Sequence, residues 1–295
     1  MEMNLTDIST IRQILSAHSA APRKSLGQNF LTNAAVAERI ADTGKPSCAS
    51  GGILEIGPGI GALTRNLAKR AAKVVAVELD DNMLPILAHT MSNLDNVEIV
   101  HGDFMKIPLP SLMEKFTNIT PVSVCANLPY YITTPVLMKL LEDGATADGG
   151  NMFESITIMI QREVADRLCA SAGSAEYGAI TASVAYRGVA KKMFSVSAGN
   201  FHPAPKVESS VVRIDLYKQP KYDCHNEDIL FRLIRAAFGQ RRKMLKNAAG
   251  EAFSHLGKEK LGKIITSCGY REDIRGEKVD IDGFVRMANI ICEAE

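Results

Sequence analysis

The sequence predicts an α/β fold: helices on both faces of a mostly parallel β-sheet, an antiparallel hairpin at one sheet edge, and a small all-helical C-terminal domain. From residue 53 onward, short runs rich in β-branched residues alternate with stretches of helical periodicity, which is typical of parallel sheets. Two later runs, 189–196 and 207–217, have no helix between them and indicate the hairpin. Beyond Gln219 and Pro220 no clear strand pattern remains.

The elements can be placed in chain order. The predicted strands of the parallel sheet are 53–56, 73–78, 97–101, 122–126 and 155–160. The predicted helices lie near 6–17, 33–42, 61–71, 82–91, 133–143, 161–170 and 177–186. We therefore predict a first domain at 1–217, which includes an N-terminal extension at 1–50, and a second, helical domain at 218–295.

Composition excludes several classes of protein. The 295 residues are 46% hydrophobic and 23% charged, as in ordinary globular chains, and the net charge is only +1. No apolar run approaches the roughly 18 residues of a membrane span, and the first twenty residues lack the apolar core of a secretory signal. The six cysteines lie far apart along the chain, without the spacing of a zinc site or a disulfide framework. We expect a cytoplasmic protein with no metal site and no membrane association.

A glycine-rich turn is the strongest local motif. A predicted strand at 53–56 runs into Gly57, Gly59 and Gly61 and then into a helix. Glycines let the backbone approach a ligand closely, and the free N–H groups of a helix start favour negative charge. Glu78 ends the next strand, where a carboxylate can accept hydrogen bonds from ribose hydroxyls, and its neighbour Leu79 joins the predicted contacts. The turn alone predicts a nucleotide cofactor without choosing between NAD and other nucleotides.

The third strand is followed by a second acid. Asp103 comes directly after this strand and is followed by Phe104. A carboxylate at this position can accept a hydrogen bond from an adenine amino group, and an aromatic ring beside it can pack on the base. Both residues are predicted to contact the cofactor.

The fourth strand ends in the segment that suggests the chemistry. Asn127 offers a carboxamide oxygen, and the backbone carbonyl of Leu128 is directed nearby because Pro129 fixes the following backbone. Together they can accept both protons of a planar exocyclic amine, and Tyr130 can stack on the ring that carries it. Reactive groups sit at such strand ends in open α/β sheets. We predict that these four residues form the catalytic site.

Five segments in order make the chain similar to the KsgA family of small-subunit ribosomal RNA adenine dimethyltransferases. The similarity runs from about residue 23 to at least residue 247. Its segments are KSLGQNFL at 24–31, EIGPG at 55–59, NLPY at 127–130, FHPAPKV at 201–207 and FGQRRK at 238–243.

The resemblance implies a Rossmann-like class I methyltransferase sheet and S-adenosylmethionine as the cofactor. The cofactor contacts of the family map onto Gln28, Asn29, Leu31, Gly57, Glu78, Asp103 and Asn127, all of which match. Residues 27–31 are expected to fold over the cofactor, and Phe201, at the tip of the predicted hairpin, to sandwich the target base opposite Tyr130.

A basic run in the second domain is the candidate RNA contact. Residues 232–246 contain six Lys or Arg and no Asp or Glu. The spacing of four of these side chains predicts that they line one face of a single helix. We predict phosphate contacts from the full set, which is Arg232, Arg235, Arg241, Arg242, Lys243 and Lys246.

The resemblance also implies the reaction and its substrate. The family converts two adjacent adenosines in a hairpin loop near the 3′ end of small-subunit RNA to N6,N6-dimethyladenosine, so a monomer acting on a pre-small-subunit particle is expected. Two alternatives remain at this point. One is the sister group that methylates large-subunit RNA, and the other is a non-catalytic transcription or ribosome-assembly factor.

Overall fold

The computed structural model describes residues 3–294 in two compact units. The first contains the residues up to Ala165 and Ala190–Lys218. The second contains Asp166–Val189 and the residues from Gln219 onward. The predicted boundary between 217 and 218 is thus one residue from the point where the chain leaves the first unit, after Lys218. The inclusion of Asp166–Val189 in the second unit was not predicted. This segment carries apolar residues that belong to the core of the second unit.

Two sheets form in the first unit. A small two-stranded sheet contains β1 (Phe30–Leu31) and β8 (Phe201–His202). The large sheet has the strand order β4-β3-β2-β5-β6-β9-β7. Its strands are β2 (Gly52–Ile56), β3 (Lys73–Glu78), β4 (Val97–His101), β5 (Val122–Asn127), β6 (Ser155–Gln161), β7 (Gly188–Val196) and β9 (Ser209–Leu216).

The large sheet confirms the predicted fold class. Strands β2 to β6 are mutually parallel, and β9 pairs antiparallel with β6. Every residue of β2 is buried, as expected for a central strand covered on both faces. The chain crosses from β2 to β3 on one side and later returns to β5 on the other, so the sheet has a switch point between β2 and β5.

Helices cover both faces of this sheet. Asp7 and Asn33 cap the first two helices by accepting hydrogen bonds from backbone N–H groups. The helices of this part of the chain are α1 (Ile8–Ala17), α2 (Ala34–Gly44), α3 (Ala62–Ala68), α4 (Leu84–Thr90), α5 (Leu109–Met113), α6 (Thr133–Glu142) and α7 (Arg162–Leu168).

The two-stranded sheet corrects one prediction. Phe201 does not lie at the tip of a simple hairpin. Instead, Leu31 pairs with Phe201 and Phe30 with His202, so the segment between β7 and β9 is tied to the N-terminal extension. Phe201 is buried as a result. The sequence could not show this pairing because it joins two-residue strands about 170 residues apart.

The second unit is helical. Its helices are α8 (Ala179–Arg187), α9 (Glu227–Gly239), α10 (Leu245–Ala252), α11 (Gly257–Ser267) and α12 (Ile281–Cys292). They share one apolar core, with Phe253 and Phe284 fully buried at its centre. Within residues 3–294, no helix combines the length and apolar character needed to cross a bilayer.

The basic run does not form the single helix that was predicted. Helix α9 ends at Gly239, and α10 begins at Leu245 after a short turn. Glycine has a low helix propensity and marks the end of α9. The prediction that residues 232–246 present one continuous helix face is therefore wrong.

Candidate cofactor and catalytic site

A cavity of about 280 Å³ lies at the carboxyl ends of the central strands. Its lining comes from the turns that follow β2, β3, β4 and β5, and from Phe201 and the N-terminal residues 26–31. The volume is near the lower end of the range for small-molecule sites, roughly 300–1,000 Å³. Each predicted cofactor and catalytic residue lines this cavity. They are Gln28, Asn29, Leu31, Gly57, Gly59, Glu78, Leu79, Asp103, Phe104, Asn127, Leu128, Pro129, Tyr130 and Phe201.

The glycine-rich turn has a backbone that side chains disfavour. Gly57 has φ of 70° and Gly59 has φ of 60°. A Cβ on Gly57 would meet no atom within 4 Å, so the backbone here borders open space in the cavity. A Cβ on Gly59 would lie 3.2 Å from the ring of Phe30, so this glycine makes room for the N-terminal segment. The turn therefore exposes backbone at one glycine and packs closely at the other.

Glu78 is held by backbone N–H groups at the end of β3. Gly59 N donates to Oε2 at 3.1 Å, and Asp80 N donates to Oε1 at 2.8 Å. A carboxylate has about four acceptor sites, which leaves two for a ligand. Burial raises the pKa of Glu78, and the two N–H donors oppose that rise. The side chain is thus pre-oriented to accept a pair of hydroxyl protons.

Glu55 is a site residue to which sequence reasoning gave no role. It lies in β2, it is 1% exposed, and it borders the same cavity. Its Oε2 has no hydrogen-bond partner within the part of the chain that the structure describes. Burial, with a smaller contribution from nearby Glu78, raises the pKa of Glu55 to about 8. Its carboxyl is therefore largely protonated at neutral pH. The sequence feature that could have identified Glu55 is an acid within an otherwise apolar strand.

The turn after β4 presents Asp103 and Phe104. Asp103 Oδ1 accepts from Met105 N at 3.0 Å, which fixes the carboxylate beside the cavity. Phe104 is buried, whereas Leu79 on the neighbouring turn is 46% exposed. The cavity thus has an acceptor, a buried ring and an uncovered apolar rim, as expected where an adenosine group binds.

The catalytic segment ends β5, beside the switch point of the sheet. Asn127 Nδ2 donates to the backbone carbonyl of Asn29 at 3.3 Å, which directs the amide nitrogen towards the N-terminal segment. Tyr130 begins a short 3₁₀ turn, and its hydroxyl is 2.7 Å from Ser209 Oγ on β9. Burial raises the pKa of Tyr130, so the phenol is protonated at neutral pH. Ser209 was not predicted because only the tertiary fold brings it to Tyr130.

Residues 23–31 border the cavity from the N-terminal side. Gly27 packs closely on the catalytic segment, because a Cβ there would lie 3.3 Å from Pro129. Gln28 is engaged within the protein: its Oε1 accepts from Arg23 N at 2.8 Å and its Nε2 donates to Asp80 at 2.9 Å. Leu31 is buried in β1 beside Phe201.

The predicted RNA-binding residues lie in the second unit on two helices and the turn between them. Arg232 is on α9 with its guanidinium 4.2 Å from the centre of the Phe253 ring. Arg235 on α9 and Arg242 in the turn are exposed. Acidic side chains lie near Arg241 (3.4 Å from Glu277), Lys243 (3.9 Å from Glu251) and Lys246 (2.6 Å from Glu272). The cations are therefore spread over a wider surface than one helix face.

The cavity suits a nucleotide ligand and a hydrogen-bonded amine better than acid–base chemistry. Asn127 and the Leu128 carbonyl are neutral acceptors. The acids that border the cavity are not part of this segment: Glu55 and Glu78 lie beside the glycine-rich turn, and Asp103 lies in the turn after β4. Among residues 3–294, no group of three or more His, Cys, Asp or Glu side chains could hold a metal ion.

The chain is similar to one family of known proteins. The family model "Ribosomal RNA adenine dimethylase" matches residues 20–292. A Clostridioides difficile protein named ribosomal RNA small subunit methyltransferase A is 39% identical over 287 residues, covering 97% of this chain and 96% of the relative. A Bacillus pumilus protein of the same name is 41% identical over 297 residues, covering 98% of each chain.

Solved structures agree on the fold. A dimethyladenosine transferase from Plasmodium falciparum has a TM-score of 0.70 at 24% identity and covers 87% of this chain and 95% of its own. The 23S rRNA methyltransferase ErmE has a TM-score of 0.67 at 22% identity, with coverage of 88% and 98%.

Proposed function

The chain belongs to the ribosomal RNA adenine dimethylase family, and on that premise we propose that it methylates N6 of two adjacent adenosines in the 3′-terminal hairpin loop of small-subunit rRNA. It is an S-adenosylmethionine-dependent methyltransferase, and its products are N6,N6-dimethyladenosines. The relatives at about 40% identity over nearly the whole chain support the small-subunit substrate.

One observation carries the proposal. The Asn127–Leu128 acceptor pair and the nucleotide-type residues Gly57 and Glu78 border the same cavity. A reaction between a bound nucleoside cofactor and an exocyclic amine requires this juxtaposition, whereas a binding module has no use for the acceptor pair.

The chain's residues fit the cofactor. Glu78 has two acceptor sites left for the ribose hydroxyls, and the open space at Gly57 admits a ligand against the backbone. Asp103 and Phe104 would hold the adenine, with Leu79 covering its ring. The remaining contacts would come from Gly59 and from Gln28, Asn29 and Leu31 of the N-terminal segment.

Catalysis rests on orientation. When bound, S-adenosylmethionine supplies a methyl group on a positively charged sulfur. The Asn127 oxygen and the Leu128 carbonyl would accept the two N6 protons, which favours a pyramidal nitrogen whose lone pair is free to attack. Asn127 is neutral and removes no proton, so the pair acts through dipoles placed where positive charge develops. As the new N–C bond forms, the methyl–sulfur bond would break with its electron pair left on sulfur, and the methylated nitrogen would then lose one proton to solvent. Tyr130 stacks on the target base, with Phe201 on the opposite side.

The target base must leave its stack to enter the cavity, which costs a few kcal/mol that stacking on Tyr130 offsets in part. Phosphates of a pre-small-subunit particle would be contacted by the six basic residues between Arg232 and Lys246 in the second unit. We propose that the protein acts on this particle as a monomer in the cytoplasm. Its cysteines are all free, which suits a reducing compartment.

The test is methylation of purified particles. Small subunits and large subunits that lack dimethyladenosine are incubated separately with the protein and S-adenosylmethionine, and their RNA is analysed by mass spectrometry. We expect N6,N6-dimethyladenosine only in small-subunit RNA. Product confined to large-subunit RNA would favour the sister activity, and no product from either subunit would favour a non-catalytic role. An Asn127→Ala variant is the control for contaminating activity.

A further inference from the structure

Asp80 is a buried carboxylate that no proposed cofactor contact uses. It follows Glu78 by two residues, its side chain has no exposed surface, and it does not line the cavity. Its Oδ1 accepts from Arg23 Nη1 at 2.8 Å and from Asn82 N at 3.1 Å, and its Oδ2 accepts from Gln28 Nε2 at 2.9 Å. One acid thus binds two side chains that are more than fifty residues away in sequence.

These contacts fix the N-terminal segment at one end. The side-chain oxygen of Gln28 accepts from Arg23 N, which closes a short loop. The side-chain nitrogen of Gln28 donates to Asp80, which attaches this loop to the end of β3. The other end is fixed by the pairing of β1 with β8. The peptide between Gln28 and Asn29 therefore lies between two fixed points of the chain and next to the catalytic segment.

This peptide contacts the catalytic amide. Asn127 Nδ2 donates to the carbonyl of Asn29, the residue after Gln28. The nitrogen and oxygen of an amide project in different directions, so a partner for the nitrogen decides where the oxygen points. Without the Asn29 carbonyl, the amide could turn over and present a donor to the N6 protons, which would repel them.

We propose that Asp80 is a positioning residue for methyl transfer. It holds Arg23 and Gln28, these place the Asn29 carbonyl, and that carbonyl orients the Asn127 amide so that its oxygen accepts from the target amine. This inference rests on the proposed function and assigns to Gln28 an anchoring role beside any contact with the cofactor.

The test uses two variants outside the cavity lining. Asp80→Asn removes the charge that binds Arg23 and presents an amide, a weaker acceptor than a carboxylate, to Gln28. Arg23→Met removes the cation and keeps an apolar side chain. The control is Asp42→Asn, which weakens another Arg–Asp contact of the first unit, that of Arg70 at 2.9 Å. If Asp80→Asn fails to fold, Arg23→Met, at an exposed position, tests the same link.

Three measurements separate positioning from general stability. Single-turnover rates at saturating S-adenosylmethionine should fall by about tenfold to 100-fold in both variants and stay unchanged in Asp42→Asn. Cofactor affinity should change less than the rate, since Glu78 keeps its backbone donors. Hydrogen exchange of the amides in residues 23–31 should accelerate in the cofactor-free variants but not in the control.

A double-variant comparison decides the route. In an Asn127→Ala background, the loss of rate caused by Arg23→Met should disappear, because no amide remains to be oriented. An undiminished loss there, or wild-type rates in both folded single variants, would overturn the inference. Absence of methyl transfer by the wild-type protein would instead count against the proposed function.

Discussion

The ionisable groups around the cavity of the first unit and those on the basic surface of the second lie in opposite surroundings. In the first unit, Glu55, Glu78 and Asp80 are buried beside the cavity, and backbone N–H groups hold two of them. In the second unit, the cations between Arg232 and Lys246 are mostly exposed, and several pair with acids on the same unit. Buried charges have strong, geometry-dependent interactions, whereas exposed pairs contribute about 0–1 kcal/mol each and are screened by salt.

Single substitutions should therefore have larger effects around the cavity than on the basic surface. Around the cavity, several polar side chains are buried or hydrogen-bonded within the protein, so one change should alter stability or rate strongly. On the basic surface, the effect should be distributed over several side chains and visible mainly in its dependence on salt.

Glu55→Gln should change how stability depends on pH. The folded pKa of about 8 lies above the unfolded value of 4.5, so the folded state retains a proton that the unfolded state loses between these values. Stability from this group is full below pH 4.5 and declines as pH rises towards 8, by roughly 4–5 kcal/mol in total. Chemical denaturation from pH 5 to 9 measures it. The variant should match the wild type near pH 5 and exceed it above pH 8; a difference independent of pH would contradict the buried proton.

Asn127→Ala should lower the single-turnover rate by about 100-fold or more, the typical effect of removing one preorganised transition-state group. Rates on purified small subunits at saturating cofactor measure it, and calorimetry should show a smaller change in cofactor affinity. Asn127→Asp is a useful companion, because it keeps the acceptor but loses the bond to the Asn29 carbonyl. A near-wild-type rate for Asn127→Ala would remove this residue from the mechanism.

Glu78→Ala should weaken cofactor binding by about 1.5–3 kcal/mol, the value of a hydrogen bond to a charged acceptor. Isothermal calorimetry measures the affinity, and the melting temperature establishes that the variant is folded. Glu78→Gln, which keeps one acceptor oxygen, should fall between the two. Equal affinities for all three proteins would exclude contact with the ribose.

Neutralising Arg235 and Arg242 together should give the smallest effect per side chain. Particle binding should weaken, and the slope of log affinity against log salt should flatten by about 0.7–0.9 for each lost phosphate contact. The matched control replaces Lys260 and Lys263, two exposed cations on α11, with Gln. The same slope in wild type and double variant would mean that these arginines face solvent, and a lowered melting temperature would mean that they pack within the unit.

The cavity was largely predictable from the sequence, and the basic surface was not. Strands β3 and β4 begin and end where the β-branched runs predict, and parallel strands bring their carboxyl ends to one edge. Glu78, Asp103 and Asn127 therefore had to meet.

The failures have physical causes. Helical spacing continued through Gly239, so the end of α9 went unrecognised, although the glycine itself was a signal. Phe201, Ser209 and Asp80 depend on partners far along the chain, and local patterns hold no information about such pairs.

The interleaved order of the two units has a consequence for synthesis on the ribosome. All residues of the first unit have been made once Lys218 is complete, but Asp166–Val189 must then wait for its partners. Tyr177, Ala182 and Tyr186 in this segment belong to a core that is otherwise built mainly from helices made from Gln219 onward. Their apolar surface stays uncovered while α9 to α12 are translated, a period in which a nascent chain is prone to aggregate and is a substrate for chaperones.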